Sequence, residues 1–233
     1  MTIPGRAARR SLLRALPAIP ALALAGCFGG GRAPHAWWEL DDARAGQAGR
    51  AEPDAARQRM SLLIEGAAAG ALYDGTALLY SRSAGMRAPY QYASWTERPA
   101  ARLARLARRR LQARTGFRDV SLAEAGTAPD LLLTLTLESL HHELPAGVAR
   151  EGHEGRGDHG DMASDAGMLR LAVAAQLIDW RARRALASQL FSVAEPVTRA
   201  DAAGAVQAAG RAVADLLDAL APWTEASAAS HRP

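Results

Sequence analysis

Between residues 130 and 140 the chain reads DLLLTLTLESL, with leucine at 131, 133, 135 and 137 and Thr134, Thr136 and Glu138 between them. Successive side chains of a strand point to opposite faces, so this alternation predicts a strand with one leucine face in a core and one polar face outside it. Such a strand needs neighbours, and the chain offers several. Residues 60–65 (MSLLIE) and 76–81 (TALLYS) are short apolar runs near glycines, and 86–93 carries a Pro89 that suits a sheet edge. Residues 168–179 and 184–193 read as a hairpin across the turn Trp180-Arg181-Ala182-Arg183, while 35–40 (HAWWEL) and 117–122 add two shorter strands. Residues 41–59, polar and alanine-rich, read as a loop.

Two helices complete the pattern. Residues 95–114 open near Thr96-Glu97-Arg98-Pro99, proline being tolerated in a first turn, and place Leu103, Leu106, Ala107 and Leu111 on one stripe. Arg102, Arg105, Arg108, Arg109 and Arg110 crowd the remaining surface, where they would meet water, lipid headgroups or an acidic partner. The last helix starts with Thr198 as N-cap and Asp201 three positions on, in capping-box fashion. Its stripe of Ala202, Val206, Ala209, Val213, Leu216, Leu217 and Leu220 holds small and aliphatic residues, as packing on a sheet requires, and ends at Pro222-Trp223. The whole predicts an α/β sandwich with a mixed, largely antiparallel sheet packed by two main helices.

Ahead of this domain lies a targeting segment. Arg6, Arg9, Arg10 and Arg14 precede an apolar run, LPAIPALAL, and then Leu24-Ala25-Gly26-Cys27. The apolar run falls far short of the ~20 residues a spanning helix needs, so residues 1–26 read as a cleavable signal peptide. The four residues ending at Cys27 resemble the lipobox of bacterial lipoproteins, in which the thiol becomes a thioether to diacylglycerol and the new N-terminus is often acylated as well. Two acyl chains suffice for stable membrane anchoring. Arg9-Arg10-Ser11-Leu12-Leu13 also has a twin-arginine look, which leaves the export route open. Phe28 stands where aspartate would commonly retain the product at the inner membrane, which favours delivery to the outer one. Residues 27–34, glycine-rich, are then a lipidated tether; 35–223 form the domain, and 224–233 read as a disordered tail.

Charge removes a nucleic-acid role. The chain has 28 basic residues, all arginine; four precede Cys27 in a stretch without acids, and the remaining 24 are matched by 24 Asp and Glu. Motif chemistry is sparse. No glycine-rich phosphate loop with its lysine occurs, and Ser81, Ser94 and Ser139 lack a Gly-x-Ser-x-Gly elbow, so no enzyme is expected. His141, His142, His153 and His159 fall in a glycine-rich stretch, 141–167, with carboxylates between them. Histidine and carboxylate ligate zinc, yet the helical His-Glu-x-x-His spacing is missing, and a solvated hairpin loop is the plainer reading. Tyr80, Tyr90 and Trp95 are aromatics of the sheet and core or, alternatively, partner contacts, with the strand near Tyr90 open to strand addition.

In order and spacing, several of these features resemble the ABC-type transport auxiliary lipoprotein family, the PqiC-like proteins. The resemblance is carried by Trp37-Trp38-Glu39-Leu40, Leu78-Leu79-Tyr80-Ser81, YQYASWTERP at 90–99 with the helix behind it, and the strand at 130–137. It continues through Ala175-Gln176-Leu177-Ile178-Asp179, Phe191 and the alanine-rich helix ending at Trp223. It implies an accessory or docking subunit at the periplasmic face of the outer membrane, with no cofactor beyond its own acyl chains. The implied partners are an MCE-type substrate-binding protein with its permease and ATPase, moving lipids or other hydrophobic molecules, and the implied assembly is a homo-oligomer. The tryptophan pair departs from the tyrosine more common in the family, and no family role attaches to 141–167. An envelope-assembly scaffold for cell wall or lipopolysaccharide machinery, and a histidine-loop metal binder, are the alternatives from other classes.

Overall fold

A computed structural model describes residues 34–123, 128–145 and 166–230. Eight strands and two helices follow in the order β1 (Ala36–Trp38), β2 (Ser61–Ala69), β3 (Ala77–Ser81), β4 (Ala88–Trp95), α1 (Pro99–Ala113), β5 (Asp119–Leu122), β6 (Leu131–Glu143), β7 (Met168–Asp179), β8 (Arg184–Pro196) and α2 (Ala202–Ala229). The segment before β2 is a loop with two short 3₁₀ turns, Ala45–Gln47 and Arg57–Arg59. No helix among the described residues is long and apolar enough to cross a membrane.

The leucine-alternating strand, β6, is the axis of the sheet. Along one edge it pairs antiparallel with β7, which pairs antiparallel with β8. Its other edge is divided between two parallel neighbours, β2 along Leu131–Leu137 and β3 at His142 and Glu143. Beyond β2 lies β5, parallel; beyond β3 lies antiparallel β4, with β1 parallel on its far side. The sheet is therefore mixed, with the longest ladders antiparallel, and both helices pack on one face. α1 lies over β2 and β5, α2 over β7 and β8. Leu131, Leu133, Leu135 and Leu137 are all at most 1% exposed beneath them.

Four elements depart from the sequence reading. Trp95 ends β4 instead of opening a helix, and α1 starts at Pro99. The N-cap of α2 is Asp201, not Thr198: its carboxylate accepts the Gly204 amide at 2.7 Å, which satisfies one of the free amides of the first turn. The expected tail continues α2 past Pro222 to Ala229, with Thr224, Glu225 and Ala228 buried. The arginines of α1 do not all face outward either. Arg102 and Arg110 are buried, because acids from distant segments reach them. Arg110 forms a forked pair with Asp42, also buried, and a second pair with Asp218 of α2; Arg102 donates to the Leu40 carbonyl at 2.8 Å and pairs with Glu39. The helix is thus pinned by charge on the side that its apolar stripe does not cover.

Candidate functional site

The polar residues singled out in the sequence gather where β3, β4, β6 and β7 meet. β6 bulges between Leu137 and Ser139. One extra residue shifts the alternation, so the inward positions change from odd numbers to Leu140 and His142. His141 and His142 are therefore strand residues facing opposite sides of the sheet, not neighbours in a solvated loop. Two side chains so arranged cannot close on one metal ion. His153 and His159 lie outside the described residues, as does Cys27.

His142 is fully buried and both ring nitrogens are engaged. Nε2 sits 2.6 Å from the Ala166 carbonyl, which can only accept, so Nε2 carries the proton and Nδ1 accepts the Tyr90 hydroxyl at 2.6 Å. Burial holds the imidazole below its ordinary pKa and lifts the Tyr90 phenol above its own, so both stay neutral and suited to this chain of bonds. Tyr80 packs against Tyr90 with the rings tilted and their centroids 5.1 Å apart, and the Arg82 guanidinium lies over the Tyr80 ring. Gly167 follows Ala166 in the left-handed region at φ +85, where an added Cβ would lie 2.2 Å from the Glu143 carbonyl; only glycine lets the two strand ends close this tightly.

On the other face, His141 Nδ1 is 3.4 Å from the Tyr73 hydroxyl, whose oxygen accepts from Arg87 Nε at 3.3 Å. Arg87 also donates to Ser81, and the Ser81 hydroxyl donates to the Ser83 carbonyl at 2.9 Å. Arg170 and Glu143 pair at 2.6 Å beside them, along an open groove of about 600 Å³. Burial, then the Arg87 charge, push His141 down to about 4. The groove can offer hydrogen bonds from Arg87, His141, Glu143 and Arg170, with Ser139 and Ser192 also in its lining. Ser94 meets a histidine, His35 Nε2 at 3.0 Å; among the described residues no hydrogen bond orients the other His35 nitrogen. Trp95, 1% exposed, is core, whereas Tyr80 and Tyr90 remain half-buried. β1 pairs with β4 only along Ala93–Trp95, which leaves the Pro89 end of β4 as an edge, as its proline suggests.

Both histidines have folded pKa values below the ordinary one, so the unfolded chain binds more protons as pH falls beneath about 6.5. Their contribution to stability is complete above that value and is lost on the way down to about 4. Urea midpoints should therefore drop between pH 6.5 and 4.5, and His141→Gln should flatten the slope; an unchanged slope in the variant would refute the assignment to this residue.

No known family model and no curated protein matches the chain. Among solved structures, the fold is similar to that of a Xanthomonas campestris protein described as a DUF330 member, with a TM-score of 0.66 and 17% identity over 84% of this chain and 97% of the other. An uncharacterized protein aligns with a TM-score of 0.56 and 12% identity over 81% and 97% of the two chains. A dodecameric PelC from Paraburkholderia phytofirmans aligns over 71% of this chain and 89% of its own, with 16% identity and a TM-score of 0.38, a likeness too slight to bear on assembly. The first two similarities show a shared fold.

Proposed function

We propose that the chain is a non-enzymatic lipoprotein, anchored by acyl chains on Cys27 to the periplasmic face of the outer membrane, where it docks an MCE/ABC-type lipid-transport system. The observation that carries this reading is Leu24-Ala25-Gly26-Cys27 behind four arginines and a short apolar run, with the chain's sole cysteine at the acylation position. A fold shared with the DUF330 protein supports the PqiC-like assignment. The role is geometric: lipid fixes one end of a conduit, and the folded domain binds the MCE partner, as one of several copies if the conduit is a ring. The two histidines, one with both nitrogens held inside the protein, fit structural work better than turnover.

Cys27→Ser should move the protein from the membrane fraction to the soluble periplasm, and the wild-type N-terminal peptide should carry the mass of diacylglycerol. Crosslinking in cells followed by extraction should then recover an MCE protein with its permease and ATPase. An unacylated N-terminus would overturn the anchoring. Recovery of cell-wall or lipopolysaccharide assembly proteins in place of the transport set would transfer the protein to the scaffold class.

A further inference from the structure

We propose that the end of the sheet at the β7–β8 hairpin binds one anionic phospholipid molecule, an acyl chain lying over Leu132, Ile178 and Trp180 and the headgroup phosphate held by Arg181 and Arg183. The inference deepens the transport reading and rests on it for the identity of the cargo.

An open groove of about 800 Å³ runs along the first residues of β6 and the last of β7, within the size range of small-molecule sites. Leu132, Ile178 and the buried Pro129 form its floor, and Trp180, 44% exposed, stands at its side. Leu132 and Ile178 are partners across the β6–β7 ladder and lie on the face that the helices leave uncovered, since Leu131, Leu133 and Leu177 on either side of them point to the core. An apolar floor flanked by an exposed tryptophan asks for an apolar occupant.

Two cations border it. Arg181 is 84% exposed and reaches Asp130 at only 3.4 Å, a carboxylate already accepting the Ser61 amide and hydroxyl. Arg183 has no hydrogen bond or ion pair among the described residues, and its backbone lies at φ +51. A turn position of that kind favours glycine or asparagine, so an arginine there carries a backbone cost that packing does not return. Around the strand ends, a second cavity of about 420 Å³ shares Arg181 and adds Arg59 and Arg118 together with Asp130 and Asp179, Arg118 pairing with Asp130 at 3.5 Å, so the unmatched cations are those at the hairpin. Arginine forks match phosphate oxygens in pairs. Apolar floor and paired arginines together select an amphiphile with a phosphate, and charge complementarity fixes its sign. A flat leaflet pressed against the hairpin would meet Trp180 and the arginines but not Leu132, which is 8% exposed at the base of the groove. A single lipid molecule reaches it.

The test uses the acylated protein in nonionic detergent, examined by native mass spectrometry with added dipalmitoyl phosphatidylglycerol or dipalmitoyl phosphatidylcholine. The phosphatidylglycerol adduct should exceed the other by about tenfold, as expected for charge-assisted hydrogen bonds. The Arg181→Glu/Arg183→Glu double variant, changed only at exposed positions, should lose that excess while melting as the wild type does. Arg183→Gly should lose part of the adduct yet melt about 2–4 °C higher, because it relieves the turn. Equal adducts of both lipids, or an unchanged adduct in the double variant, would overturn the proposal. So would complete displacement by inorganic phosphate, which would reduce the site to an anion pocket, or association with phosphatidylglycerol vesicles without any adduct, which would make it a surface contact. Acylation at Cys27 is a separate mass in the same spectrum, so anchoring and groove binding can fail independently.

Discussion

Asp42→Ala is expected to destabilise the protein by about 3–5 kcal/mol, the usual cost of stranding one member of a buried ion pair. The Asp42 carboxylate takes two guanidinium nitrogens of Arg110, at 2.6 and 3.2 Å, and the Arg44 amide at 2.9 Å. Without it, Arg110, with 3% of its side chain exposed, keeps only Asp218, whose own carboxylate is half in water. Loss on that scale should lower the melting temperature by roughly 10 °C in a chain of this size. Joint replacement by Asp42→Leu and Arg110→Met should recover most of it, because two apolar groups of similar volume need no partner. A melting point within about 2 °C of wild type for the single variant would show that water reaches this pair after all.

Truncation after Trp223 should be at least as damaging. Residues 224–229 are the last turns of α2, and Glu225 forms a forked pair with Arg114 at 2.7 and 2.9 Å while its carbonyl accepts from the buried Arg57. The same glutamate lies against Gly116, where even a Cβ would sit 3.0 Å from its carboxylate oxygen. Removal exposes the end of α1 and leaves Arg57 and Arg114 short of partners in one step. A loss of several kcal/mol, out of the roughly 5–15 that a folded protein has, should appear as rapid proteolysis within residues 50–59 and a shifted urea midpoint. If the shortened chain resists protease and melts normally, residues beyond 223 are a dispensable tail.

These two sites show where local reading stops. Charged side chains in a helix read as solvated because nothing nearby in the chain opposes them; the partners of Arg110 lie 68 and 108 positions away, and no periodicity reveals them. Proline at 222 reads as a stop because it removes one helical hydrogen bond, and it is overruled because the turns beyond it are held by Arg57 and Arg114. The groove at the hairpin is invisible to local pattern for a related reason. Trp180-Arg181-Ala182-Arg183 was legible as a turn, but Leu132 and Ile178 become its neighbours only through the β6–β7 register.

Strands, helices and their faces were legible from local pattern, since a period of two or of about four is imposed by backbone geometry within a few residues. The lipoprotein reading of Cys27 rests on local chemistry alone, since the residues around it lie outside the described ones. What only the tertiary structure decided is the phase of β6 after Glu138, and with it the opposite aims of His141 and His142. The bulge lies in the β6–β7 ladder, near where the other edge of β6 passes from β2 to β3, and all three neighbours meet β6 only when the sheet assembles. Burial of a charge or a ring is likewise a property of the whole packed chain, since it is set by what arrives from elsewhere to cover it.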